Sequence, residues 1–228
     1  MSIYAISDLH LSLGTDKPMD VFEGWDNYVE RLKNNWSEKI TADDTVVIAG
    51  DISWGMGIEE CYEDFKFIDN LPGKKLIVRG NHDFWWSTRS KIENYFKSNN
   101  LNSLSIVNNE AIRIGEYCIC GTRGWMYKRT KADRKIYFRE IGRLKASLDD
   151  AKQLGGEPIV FIHYPPVYNF EESEEIIDIL IERKVKKCYY GHIHGSGADT
   201  KAKLGNYKGI DFELISCDYL NFCPKFVV

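Results

Sequence analysis

Thr45-Val46-Val47-Ile48-Ala49-Gly50-Asp51 sets the reading of this 228-residue chain. Its β-branched first half is a strand, and a Gly-Asp pair follows directly at the carboxyl end. The same arrangement recurs outward in both directions. Before it, Ile3 to Ile6 reads as a first strand leading into Asp8-Leu9-His10, and Val29, Leu32, Trp36 and Ile40 form one apolar helical face. After it, Ile58, Cys61, Phe65 and Ile68 mark a second amphipathic helix, which Pro72-Gly73 ends before a third strand at Lys75 to Val78 and the sequence Gly80-Asn81-His82-Asp83. Ser87 or Thr88 is placed to cap a short helix carrying Ile92, Tyr95 and Phe96.

Strands alternating with helices predict an α/β fold with largely parallel strands. Between about 101 and 125 the period becomes strict alternation; Ile112 to Cys120 reads as a hairpin turning at Gly115-Glu116, where a second sheet is expected to begin. Tyr137, Ile141, Leu144, Leu148 and Ala151 define a long helix. Strands at Ile159 to Ile162 and Lys187 to Tyr190 follow, separated by a helix around Ile176 to Ile181. From Tyr207 the alternation with Gly and Asn turns predicts antiparallel strands. No linker, repeat or low-complexity segment interrupts the chain, so one domain over residues 1–228 is expected.

Composition excludes several classes. With 43% hydrophobic and 28% charged residues the chain has the balance of a globular protein, and a net charge of −4 argues against nonspecific nucleic-acid binding. The longest apolar runs are about five residues, against the roughly 20 a membrane span needs. The first residues lack a basic n-region and reach Asp8 before a signal core could form, so a cytoplasmic protein is expected. The six cysteines include no Cys-x-x-Cys pair and read as reduced, buried thiols.

Position carries the chemistry. Asp8-x-His10, Gly50-Asp51, Gly80-Asn81-His82-Asp83, His163 and Gly191-His192-x-His194 each follow a strand, and strand ends in a parallel sheet share one edge. All five histidines of the chain are spent there. One histidine alone is an ordinary core or surface residue, whereas five at strand exits, beside two carboxylates and an asparagine, point to a shared metal site. Imidazole, carboxylate and amide donors without thiolate suit Mn, Fe, Zn or Co. Seven candidate ligands exceed what one zinc takes, so two divalent ions are expected.

These five motifs, in this order over residues 8 to 194, resemble the calcineurin-like metallophosphoesterase superfamily. The resemblance implies two packed mixed β-sheets flanked by helices in a four-layer α/β/β/α sandwich, with two metals bridged by an aspartate and a hydroxide. It implies that Asp8, His10 and His194 hold one metal, Asn81, His163 and His192 the other, and that Asp51 bridges them. His82 would be the general acid or charge stabiliser, oriented by a carboxylate, and Asn81 would also face the substrate. The implied activity is hydrolysis of a small phosphorylated substrate, a phosphomonoester or phosphodiester.

Weaker signals keep two readings each. Asp83 either orients His82 or an outer-shell group, or caps a loop. Arg123, flanked by Gly121 and Gly124, either grips phosphate as a substrate-binding residue or pairs on the surface. Trp54, Trp85 and Trp86 either flank a flat leaving group or pack. Lys128, Arg129, Lys131, Arg134, Lys135, Arg139 and Arg143 either form a polyanion surface or a solvated helix face. A nuclease would need a long electropositive groove, hinted at only by that segment, and a noncatalytic scaffold would have little need of the full ligand set.

Overall fold

A computed structural model describes residues 1–128 and 130–228; Arg129, part of the basic stretch above, lies outside the described residues. In chain order the elements are β1 (Ile3–Ile6), α1 (Tyr28–Lys39), β2 (Thr45–Ala49), α2 (Tyr62–Asn70), β3 (Lys74–Val78), α3 (Arg89–Ser98), β4 (Leu104–Val107), β5 (Ala111–Ile114) and β6 (Tyr117–Thr122). There follow α4 (Lys131–Leu154), β7 (Glu157–Ile162), the short ribbon β8 (Val167–Tyr168) and β9 (Glu171–Glu172), α5 (Glu174–Glu182), β10 (Lys187–Tyr190), α6 (Ala198–Lys201), β11 (Gly205–Tyr207), β12 (Ile210–Leu214) and β13 (Lys225–Phe226).

The strands form two mixed sheets, of order β13-β1-β2-β3-β4 and β11-β12-β10-β7-β6-β5. β1 to β4 run parallel, as do β6, β7, β10 and β12, and antiparallel strands lie at the edges. Alternation along each strand builds three layers of core. Val46 and Ile48 of β2 pack under α1, α2 and α3, with Leu32, Trp36, Phe65 and Phe96. Val47 and Ala49 turn the other way, toward Ile159 and Phe161 of β7 between the sheets. Val160 and Ile162 meet Tyr137, Leu144 and Leu180 of α4 and α5. The result is the expected helix, sheet, sheet, helix sandwich. No helix among the described residues is long and apolar enough to cross a membrane, and all six cysteines are free, five of them buried.

Three local expectations change. The alternating stretch after residue 101 does not open the second sheet: β4 pairs in parallel with β3 and closes the first, and the second begins at β5. The tail is not simply antiparallel, since β12 lies parallel to β10 and only β11 and β13 are antiparallel. Strands of four and five residues are too short for periodicity to reveal their partners, which are fixed by packing. Thr88 sits at the start of α3, but its side chain makes no capping bond; its carbonyl takes the Lys91 and Ile92 N–H groups. The predicted hairpin holds, Ile112 opposite Ile119 and Ile114 opposite Tyr117, turning at Gly115 with φ 58°.

Candidate metal centre

Parallel strands deliver their carboxyl ends to one rim, and the chain turns there through costly conformations. Asp8, His10, Asp51 and His192 all have left-handed φ, at 60°, 45°, 53° and 73°. An L residue held there stores on the order of 1 kcal/mol or more, and such strain gathers at functional sites. The motif glycines allow the exit loops to touch. A Cβ at Gly80 would strike the carboxylate and backbone nitrogen of Asp51, and one at Gly191 would strike Ser7 and the Asp8 carboxylate.

The rim brings six of the predicted ligands into two donor groups, Asp8 with His10 and His194, and Asp51 with His163 and His192, each with its ligand atoms within 4.8 Å of one another. Asn81 joins the second group, its Oδ1 lying 2.7 Å from His163 Nε2. Asp51 Oδ2 lies between the groups, 3.4 Å from His163 Nε2 and 3.8 Å from His10 Nε2.

Hydrogen bonds on the far side of each ring test whether these atoms fit a cation. His163 Nδ1 lies 3.0 Å from the Ala49 carbonyl, which only accepts, so Nδ1 carries the hydrogen and Nε2 presents a lone pair to the oxygens of Asn81 and Asp51. His194 Nδ1 likewise faces Asp218 Oδ1 at 3.1 Å, leaving Nε2 toward Asp8 Oδ1 at 3.1 Å and His10 Nε2 at 3.3 Å. Acceptors converge on acceptors, an arrangement that needs a proton or a cation between them.

The titration behaviour has the same origin. Burial opposes charge on His163, yet Asp51 and Asp8 push it up to about 9. His194, only half-buried, is pushed up to about 10 by Asp8 and Asp218 against a desolvation penalty. Burial lowers His10 and His192 to about 4. Against burial, the imidazoles hold Asp8 and Asp51 below the usual carboxylate range. In the cation-free protein, protons on His163 and His194 offset the carboxylates that divalent ions would otherwise neutralise. The donor set therefore fits two divalent ions.

Around the candidate ligands lies a set of supports, some absent from the sequence reading. Asp83 is a loop fastener: its buried carboxylate accepts from Gly80 N at 2.6 Å, Ile52 N at 2.9 Å, Asp51 N at 3.0 Å and Trp85 Nε1 at 3.1 Å. With these donors it does not orient the His82 ring, and the expected carboxylate partner of that ring is not found among the described residues. His82 Nδ1 is buried without a partner, while its backbone N–H donates to Asp51 Oδ1 at 2.7 Å. Asp8 is held by Ser7, by Ser216 Oγ at 3.0 Å and by the His192 N–H. An antiparallel reading of the tail hides Asp218 and Ser216. Since β12 runs parallel to β10, its exit reaches the same rim, and that parallel pairing is the signal that would have found them.

Two cavities take in residues singled out from the sequence. One of about 760 Å³ is bordered by His10, His82 and His194 together with Trp25, Trp54 and Phe22. Trp54 stacks on His10 at 4.9 Å between ring centroids and lies 4.6 Å from the His82 ring. Trp85 instead packs in the core against Phe65. Arg123 is not brought to this cavity: with Trp86 it lines a second one, of about 520 Å³, in which none of the seven candidate ligands takes part. Of the basic stretch, Lys128 pairs with Glu175, and Arg139 and Arg143 with Glu140.

Several solved structures share the fold. They include a protein of unknown function from Aquifex aeolicus, with 15% identity, a TM-score of 0.52 and coverage of 99% of this chain and 95% of that one. A phosphopantetheinyl hydrolase from Mycobacterium tuberculosis shows 13% identity, a TM-score of 0.61 and coverage of 100% and 95%. The protein TT1561 of Thermus thermophilus shows 11% identity, a TM-score of 0.51 and coverage of 84% and 81%. At such identities the likeness is of fold alone. No curated protein shows significant similarity to the chain. Residues 1–196 match the family model of the calcineurin-like phosphoesterases, and with most of its length matched the chain belongs to that family.

Proposed function

We propose that the protein is a phosphoric ester hydrolase in which two divalent cations are held by Asp8, His10 and His194 on one side and Asn81, His163 and His192 on the other, with Asp51 between. The observation that carries this reading is the meeting of two acceptor-rich groups about Asp51 Oδ2, 3.4 Å from one and 3.8 Å from the other. A phosphopantetheinyl hydrolase among the fold neighbours supports phosphoester chemistry on this scaffold.

The cations, Mn, Fe, Zn or Co by donor type, would bring the pKa of a water toward neutrality and offset charge gathering on phosphoryl oxygens. The chain's own groups do the rest. Ser7, Ser216 and the His192 N–H fix the Asp8 carboxylate, and Asp218 sets the His194 tautomer. Asn81 would offer Oδ1 to the second cation and its amide N–H groups to a phosphoryl oxygen. His82 borders the aromatic cavity, where its ring can donate to the leaving oxygen. Trp25 and Trp54 give that oxygen's substituent an apolar wall, so the fitting substrate is a small phosphomonoester or diester with a leaving group larger than water. We assign the activity to one domain spanning residues 1–228, working in the cytoplasm.

The test is a panel of phosphomonoesters, linear and cyclic diesters, and nucleotides, assayed with each metal after chelation, together with metal analysis. His82→Ala should keep both ions and lose most turnover, by roughly 10²-fold or more. Asp51→Ala should lose the ions as well. A metal-free protein inert on the whole panel, whose biological role survives Asp51→Ala, would mean a scaffold instead.

A further inference from the structure

The second cavity has a charge pattern that the fold uses only in part. Its walls come from the exits of β3, β4 and β6, from the start of α3 and from α4; they include Arg79, Arg123 and Arg143 beside one carboxylate, Glu140, and a fourth arginine, Arg89, that is already paired with Glu93 and Glu110. Glu140 is fully buried and already satisfied: Thr122 Oγ1 donates to Oε2 at 2.8 Å and Arg143 Nη1 to Oε1 at 2.7 Å. Arg123 reaches it only at 3.6 Å, beyond hydrogen-bond length, with its side chain 12% exposed. The Arg79 side chain makes no hydrogen bond or ion pair with any described residue. The Nε–H groups of Arg79 and Arg123 are both buried without partners. Arg123 also lies over the Trp125 ring, 5.0 Å from its centroid, but neither guanidinium has its donors filled, and both line a cavity to which Thr88 and Asn108 also contribute.

We infer that this cavity is an anion pocket, separate from the metal centre, in which Arg79, Arg123 and Arg143 bind a phosphate group. Planar guanidinium forks match phosphate oxygens two at a time, and one buried carboxylate among three such forks leaves net positive charge for a polyanion. Lysines would offer only point charges. The pocket is joined to the centre through the backbone. Arg79 immediately precedes Gly80-Asn81, and the Arg123 carbonyl accepts the Tyr164 N–H at 2.9 Å, next to His163. The phosphate has two sources to choose between: a second phosphate on the substrate whose ester lies at the metals, or a free phosphorylated anion that sets activity. The pocket itself stands without the hydrolase reading, and only the choice of source rests on it.

Calorimetric titration of the chelator-treated full chain with pyrophosphate tests the pocket without any turnover. Wild type should bind one pyrophosphate. Arg79→Gln with Arg123→Gln, and separately Arg143→Gln, should weaken binding by about tenfold or more, while Asp51→Asn keeps it within about twofold. Melting curves verify folding; Arg79→Gln alone, at a side chain with no hydrogen bond or ion pair to lose, keeps the test informative if the other variants are unstable. Absence of binding to wild type, or binding lost in Asp51→Asn and kept in the arginine variants, overturns the assignment. With metals restored, a bisphosphorylated and a monophosphorylated ester of one alcohol separate the sources. A tenfold or greater fall in their kcat/KM ratio in the double variant, by about the loss of one charge-assisted contact, identifies a substrate phosphate. An unchanged ratio, with pyrophosphate altering kinetics in wild type alone, identifies a free anion.

Discussion

Asp83→Ala removes one carboxylate and leaves four donors behind. Three are backbone N–H groups of the β2 and β3 exits, Asp51, Ile52 and Gly80, and the fourth is the Trp85 indole, all in buried residues. Each buried donor left unpaired costs about 1–3 kcal/mol. The change also removes the desolvation cost of the carboxylate, several kcal/mol, so a net loss of about 4 kcal/mol is expected. For a chain of this size that is a fall in Tm of roughly 10 °C. Differential scanning calorimetry of the metal-free protein measures it directly. Asp83→Asn keeps one carbonyl oxygen but turns an NH₂ group toward N–H donors, and should fall between. Because Asp51 is among the groups fastened, the alanine variant should also bind metal more weakly. A melting point for Asp83→Ala within about 2 °C of wild type would refute the view that this carboxylate joins the two loops.

Asp218→Ala frees the His194 tautomer and should weaken metal binding by about 10- to 100-fold, read by competition with a chromophoric chelator; an unchanged affinity would show that the ring needs no orienting partner. Gly80→Ala drives a Cβ into Asp51 and should cost about 3 kcal/mol in urea unfolding and weaken metal binding; a variant with wild-type stability and affinity would show that the loops can part. Burial raises the Asp64 carboxyl from 3.8 to about 6 against hydrogen bonds from Ser53 Oγ and Leu13 N. Between those values the folded chain holds a proton that the unfolded chain has released, so this group's contribution is present at low pH and is lost as pH rises through about 6. Asp64→Asn should therefore gain on wild type by about 2 kcal/mol between pH 4 and 7; a difference that does not vary with pH would contradict it.

The alternation of strands and helices, and the place of the metal-capable residues at strand exits, were legible in the chain alone because both are local. A β-branched run followed by Gly-Asp needs no distant partner to be recognised, and the order of the five motifs names the family. Packing settled what depends on pairing between segments far apart. β4 joined the first sheet and β12 ran parallel to β10, and the latter choice brought Ser216 and Asp218 to the rim opposite Asp8 and His194. It also took Asp83 away from the His82 ring, because three backbone N–H groups and an indole compete for one carboxylate. Arg123 went to a cavity with Arg79 and Arg143, residues that no spacing rule connects. Hydrogen-bond partners across a sheet edge are set by where the strands pack, and local periodicity holds no record of that.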